Sequence, residues 1–178
     1  HTIKKQEYNK KLLKSLLSSN NTLYDYEVMK NNGKRLIGFG KYAGILGAYN
    51  SIRAYGLKTK KFNIAKASTF NSKEEIFTIL NNIQLSNEKI LITGVGNVSK
   101  GIVEVLQNMS IRKVDSNEIT TQIYNEPVYS QIDCLDYYKR IDNSNKDIHD
   151  FYNNPSSYVS TMNKYLSFVD ILITGHYH

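Results

Sequence analysis

The chain of 178 residues contains a single cysteine, Cys134, so it can form neither an internal disulfide framework nor a cysteine-rich zinc site. One thiol suits a reducing compartment, and the expected location is cytoplasmic. Long apolar runs are also missing. No stretch approaches the roughly twenty residues of a membrane helix, and the opening HTIKKQEYNKK lacks the hydrophobic region of a signal peptide. The expectation is a soluble protein with no membrane partner. Internal repeats and low-complexity tracts are absent, while 40% hydrophobic residues supply enough apolar material for a sizeable core.

A basic stripe is lacking as well. The net charge is +7 and the pI about 9.3, but the lysines are spread along the chain without interleaved aromatics, so no nucleic-acid partner is expected. A basic balance of this kind suits anionic substrates and cofactor phosphates. His149, His176 and His178 have no supporting cysteine or carboxylate spacing, and no metal is expected.

What the chain does contain is the segment Lys89–Gly101, KILITGVGNVSKG. Ile90, Leu91 and Ile92 form a short run suited to a buried parallel strand. Val98, Ile102, Val105, Leu106 and Met109 then recur at helical spacing. Between them lies Gly94-Val95-Gly96. Gly94 suits a tight turn, Gly96 lets the main chain approach a pyrophosphate, and a helix starting near Asn97 aims N–H groups of Asn97 and Val98 at the anion. Ser99 replaces the third glycine and is small enough for close helix–strand packing. About twenty residues on, Ile111–Asp115 reads as a second strand ending in a carboxylate, where such folds bind the ribose hydroxyls of NAD.

The rest of the chain reads as alternating helices and strands. Gln6–Leu17 has a helical cast; Thr22–Met29 alternates like a strand and is followed by the turn signal Asn31-Asn32-Gly33. Arg35–Phe39 reads as a short strand, and Lys41–Tyr55 as a helix carrying Tyr42, Ile45, Leu46, Tyr49 and Ile52 to the core, with Gly56 as its end. Ser72 and Glu75 have capping-box spacing before Ile76, Phe77, Leu80 and Ile83. Residues 116–154 are polar, Tyr-rich and irregular, and are expected to form a surface insertion. Tyr158–Phe168 regains helical spacing ahead of a last strand, Asp170–Thr174. Gly175 and His176 should then sit at the carboxyl end of that strand, near the nicotinamide half of a cofactor. A doubly wound domain normally continues beyond such a strand, so the chain reads as a segment of a longer protein.

Four blocks, in order, resemble the lysine-ketoglutarate reductase and saccharopine dehydrogenase family, within the alanine dehydrogenase and transhydrogenase superfamily. They are His1-Thr2-Ile3-Lys4 with Gln6-Glu7, Thr22–Glu27, Arg35–Gly44, and Gly94–Gly101, and together they span most of the chain. The resemblance implies an α/β fold: a Rossmann-like parallel sheet with helices on both faces, plus a remnant of a second α/β substrate domain. Residues 1–33 would be the C-terminal part of the substrate domain and 34–178 the NAD(P)-binding domain, truncated. It also implies the chemistry, a reversible reductive condensation of an amino acid (lysine) with a 2-oxo acid (2-oxoglutarate), and leaves a homo-oligomer open.

The resemblance further implies residue roles. His1 matches the family's acid–base histidine, a duty suited to an imidazole whose unperturbed pKa is near neutral. Glu27 matches a carboxylate that tunes the charge of the site, Arg35 an arginine that forks onto substrate carboxylate, and Gln6 a polar substrate contact. The cofactor is NAD or NADP. Asp115 favours NAD by repelling an extra phosphate, whereas the family commonly uses NADP and Arg112 or Lys113 offers it a partner. An alanine or other opine-type dehydrogenase, or a non-catalytic nucleotide-binding module, shares the fold, and fold alone does not choose between them.

Overall fold

The computed structural model describes residues 7–176, so His1 and Gln6 lie outside the described residues. The chain divides into two compact units, His1–Phe39 and Gly40–His178.

In the first unit a 3₁₀ turn at Glu7–Asn9 leads into α1, Lys10–Ser18. The strand expected over Thr22–Met29 does not form. Asp25 instead accepts the Glu27 N–H on its side chain at 3.0 Å, and its carbonyl accepts the Val28 N–H at 3.2 Å. This local Asx turn outcompetes extended pairing. The only strands among the described residues of this unit are β1, Lys30–Asn31, and β2, Lys34–Arg35, joined as an antiparallel hairpin. Their connection is Asn32-Gly33 with φ of 49° and 75°, the left-handed pair of a type I′ turn, which matches strand twist. The strand expected at Arg35–Phe39 therefore ends at its first residue.

The second unit opens with α2, Gly40–Thr59, and continues through α3, Lys73–Asn81, into β3, Lys89–Thr93. Next come α4, Asn97–Asn108, β4, Arg112–Lys113, α5, Glu118–Thr121, and β5, Val128–Ile132. Then follow α6, Cys134–Tyr137, β6, Tyr138–Arg140, α7, Ile148–Asn153, and β7, Tyr158–Ser160. Last are α8, Asn163–Leu166, and β8, Ile171–Thr174. A four-stranded sheet, ordered β4-β5-β3-β8 and parallel throughout, carries the fold, while β6 and β7 pair as a separate hairpin.

Side chains alternate across the sheet. Ile90, Ile92, Tyr129, Ile171 and Ile173 bury one face with α2, α3 and α4; Leu91 and Ile132 bury the other with Cys134, Tyr137 and Tyr165. Apolar residues on both faces of β3 explain its unbroken hydrophobic run. The result is a Rossmann-like α/β unit. No helix among the described residues is long and apolar enough to cross a membrane.

Three expectations for this unit need correction. The segment 116–154 is not only a surface insertion, because it delivers β5 into the sheet, where Val128, Tyr129, Ser130 and Ile132 are fully buried. Tyr158–Phe168 does not continue as a helix: it splits into β7 and the four-residue α8, because β6 captures its first residues as a strand. In α2, Tyr42 and Leu46 face outward, 60% and 42% exposed, and Gly56 lies within the helix rather than ending it. The α2 stripe that meets α4 is centred on Gly44, Ile45 and Ala48, since a Cβ on Gly44 would sit 1.9 Å from the Val98 carbonyl oxygen. Gly56 is needed because the Phe62 ring lies 2.3 Å from where its Cβ would be.

Candidate nucleotide-binding cleft

The turn after β3 is fixed by its backbone. Gly94 has φ of +87°, in the left-handed region, and a Cβ there would stand 3.2 Å from the Gly175 carbonyl. Its N–H donates to the Ile132 carbonyl at 2.7 Å, and its own carbonyl accepts from Gln131 Nε2 at 2.9 Å. On the other side, Gly175 N–H donates to the Thr93 carbonyl at 2.8 Å. The glycine turn is thus tied to β5 and β8, the two neighbours of its own strand.

Gly96 caps α4, and Lys100 N–H makes the first bond back to its carbonyl at 3.1 Å. The N–H groups of Asn97, Val98 and Ser99 consequently have no acceptor within the helix. A Cβ on Gly96 would meet nothing within 4 Å. Its missing side chain leaves open space beside a helix start, which is what a phosphate group requires. The cleft there has a volume of about 440 Å³ and is lined by Gly94–Val98, Asp133, Tyr152, Gly175 and His176. A dinucleotide's pyrophosphate fits such a cradle.

Six of the expected cofactor residues, Gly94, Gly96, Asn97, Val98, Gly175 and His176, are brought together in this cleft. Two are placed elsewhere. Ser99 is fully buried beneath the turn, and its Oγ lies 3.2 Å from both the Thr93 and Gly175 carbonyl oxygens. It joins the ends of β3 and β8. Asp115 is exposed at the end of β4 and lines a different cleft with Ser130 and Gln131. Asp133 and Tyr152 were not singled out from sequence; the signal for Asp133 was a carboxylate directly after an apolar-flanked strand, hidden by the two polar residues within β5.

His176 shares a hydrogen bond of 2.9 Å with the Tyr137 hydroxyl through Nε2, and the two rings stack at 6.0 Å. Burial pushes the Tyr137 hydroxyl up to about 12, so it stays protonated over the working range. Burial, with Asp133 beside it, also raises the Cys134 thiol. That fits an inert thiol.

In the first unit, Glu27 is half-buried and lines a separate cleft of about 310 Å³ with Leu12, Leu23, Tyr24, Asp25 and Tyr26. Arg35 is exposed on β2 and is not among the residues of that cleft.

No family model matches the chain. Among curated proteins, alpha-aminoadipic semialdehyde synthase, mitochondrial, from Mus musculus is 31% identical over 138 residues, covering 67% of this chain. The Bos taurus protein of the same name matches at the same identity and coverage. Alpha-aminoadipic semialdehyde synthase from Arabidopsis thaliana is 32% identical over 126 residues, 60% of this chain. The chain spans 15% of the length of the mouse and cattle proteins and 12% of the Arabidopsis protein. With its glycine turn and parallel sheet, and with these relatives, the chain belongs to the lysine-ketoglutarate reductase and saccharopine dehydrogenase family.

Proposed function

We propose that the protein is an NAD(P)-dependent saccharopine-type dehydrogenase that joins lysine to 2-oxoglutarate reversibly. In this reading residues 34–178 form the cofactor domain and 1–33 the end of the substrate domain, and the site is cytoplasmic. The observation that carries the proposal is the open cradle at Gly96, set between the helix start of α4 and the bonded ends of β3 and β8.

A bound nicotinamide dinucleotide would supply the hydride that is exchanged at the carbon–nitrogen bond. The residues of this chain do the remaining work. Gly94, Gly96, Asn97 and Val98 hold the pyrophosphate, and Gly175 and His176 flank the nicotinamide half. His1 moves a proton on and off the substrate nitrogen, Glu27 sets the charge around it, and Arg35 and Gln6 hold substrate carboxylate. Catalysis of this type needs the donor and acceptor held at contact, which is the service a rigid glycine turn gives.

The test uses the full-length protein. It should oxidise a reduced dinucleotide only when lysine and 2-oxoglutarate are both present. Gly96→Val should fold, because a Cβ there meets no atom within 4 Å, yet weaken dinucleotide binding by about tenfold or more in calorimetric titration. Equal affinity in the two forms would remove the site.

A further inference from the structure

We infer that Gln131, a polar residue inside β5, is the positioning residue that sets the glycine turn for a phosphate-bearing ligand by holding the Gly94 carbonyl away from it; this rests on the reading of the cleft as a dinucleotide site.

Gln131 is out of place as packing. Side chains alternate along β5, and Tyr129, two residues earlier on the same face, is buried in the layer formed with α2, α3 and α4. An apolar side chain at position 131 would continue that layer. The amide is instead half-buried there, where its polar atoms need partners. Its Nε2 donates to the Gly94 carbonyl at 2.9 Å. A carbonyl oxygen only accepts, so it is the amide nitrogen and not the amide oxygen that faces the turn.

This bond does what the strand ladder cannot. The Gly94 N–H donates to the Ile132 carbonyl at 2.7 Å, a bond that any residue at position 132 would supply. The parallel register sets Gln131 opposite Ile92 and Ile132 opposite Thr93, so a long side chain is needed to reach beyond the ladder to the Gly94 carbonyl. With φ of +87° and no Cβ, Gly94 gives the peptide that follows it wide rotational freedom. Gln131 removes that freedom. Because the peptide is planar and trans, drawing its oxygen toward β5 turns the Val95 N–H away from β5. The anion then meets the helix start of α4 beside Gly96 without an opposing carbonyl oxygen. A turn already held in this form needs less ordering when its ligand arrives.

Calorimetric titration of the full-length protein, with whichever of NADH and NADPH the wild type binds more tightly, tests the inference at a temperature well below the melting transition of every variant. Gln131→Met keeps the length of the side chain but has no donor, and should weaken binding by about three- to tenfold. Gln131→Lys restores a donor at similar reach and should bind at least as tightly as wild type. Two variants that fill the same space separate the donor from mere packing. Gln131 also borders the neighbouring cleft that holds Asp115, so direct contact with the ligand is the rival reading. Inorganic pyrophosphate distinguishes the two: as a competitor, its inhibition constant should rise in Gln131→Met by the same factor as the dinucleotide's Kd. A Met variant that binds like wild type overturns the inference, as does a Lys variant as weak as Met, or pyrophosphate that competes equally well with both proteins. Failure of wild type to bind either dinucleotide defeats the underlying cleft reading, and this inference with it.

Discussion

Glu88 is the most deeply buried carboxylate in the described chain, 2% exposed, just ahead of the glycine strand. Burial pushes its pKa up, but hydrogen bonds from Lys61 Nζ at 2.5 Å, Tyr55 Oη at 2.9 Å and the Ser86 N–H at 2.6 Å together hold it below the usual value. A group whose folded pKa is depressed gives stability that is present above its unfolded value, about 4.3, and is lost as pH falls through the folded one. Acid titration of stability should therefore show a loss below pH of about 4 that Glu88→Gln flattens. Tyr55→Phe removes one bond to the buried charge and should cost about 1.5–3 kcal/mol near neutral pH, read by denaturant unfolding. A variant as stable as wild type would mean that water replaces the hydroxyl there.

Between elements, the tightest contact is α2 against α4, where backbone meets backbone. A Cβ on Gly101 would fall 2.0 Å from the Lys41 carbonyl oxygen, and one on Gly44 would strike α4 in return. Gly101→Ala should destabilise by about 1–3 kcal/mol by forcing the helices apart, and should loosen the turn that α4 begins. Gly47 lies in the same α2 but faces nothing within 4 Å, so Gly47→Ala should stabilise by about 0.5–1 kcal/mol through helix propensity. Opposite signs from two glycines of one helical pair, measured by chemical unfolding, are the expected result; two losses would mean that α2 is already strained. Elements defined by local chemistry were legible in sequence. The Asn32-Gly33 turn, the Ser72 cap that accepts from Glu75 and the Gly94 turn all rest on neighbours a few residues away. The Glu75 carboxylate, however, bonds the Asn71 N–H rather than that of Ser72, which shifts the second half of the capping box by one residue. Strand β5 was not legible, because Ser130 and Gln131 interrupt its apolar pattern and its burial is conferred by β3 and by helices distant in sequence.

At the scale of the molecule, the cleft was readable as a motif and not as an assembly. Spacing along the chain located the glycines and the end of β8, since both follow their strands directly. The same spacing placed Asp115 at the end of the next strand, but a count of residues cannot know that a later strand will enter the sheet between two earlier ones, and Asp115 lies at the sheet edge, lining a different cleft. That strand order also governs how the fold can come together. In β4, Arg112 and Lys113 pair with β5 alone, and the Val114 N–H donates to the Tyr129 carbonyl at 2.9 Å, so the edge has nothing to hold until a later segment arrives. A lone parallel pair is itself marginal, and β5 gains its support from β3, marked by the Val128 N–H bond to the Glu88 carbonyl at 3.0 Å. Pulse-labelled refolding should then protect the Val128 amide no later than that of Val114. Earlier protection of Val114 would show the edge nucleating first. The sheet is a queue in which the strand made first must wait outside for the one made next, and the wall of the cleft closes once β5 is seated against β3.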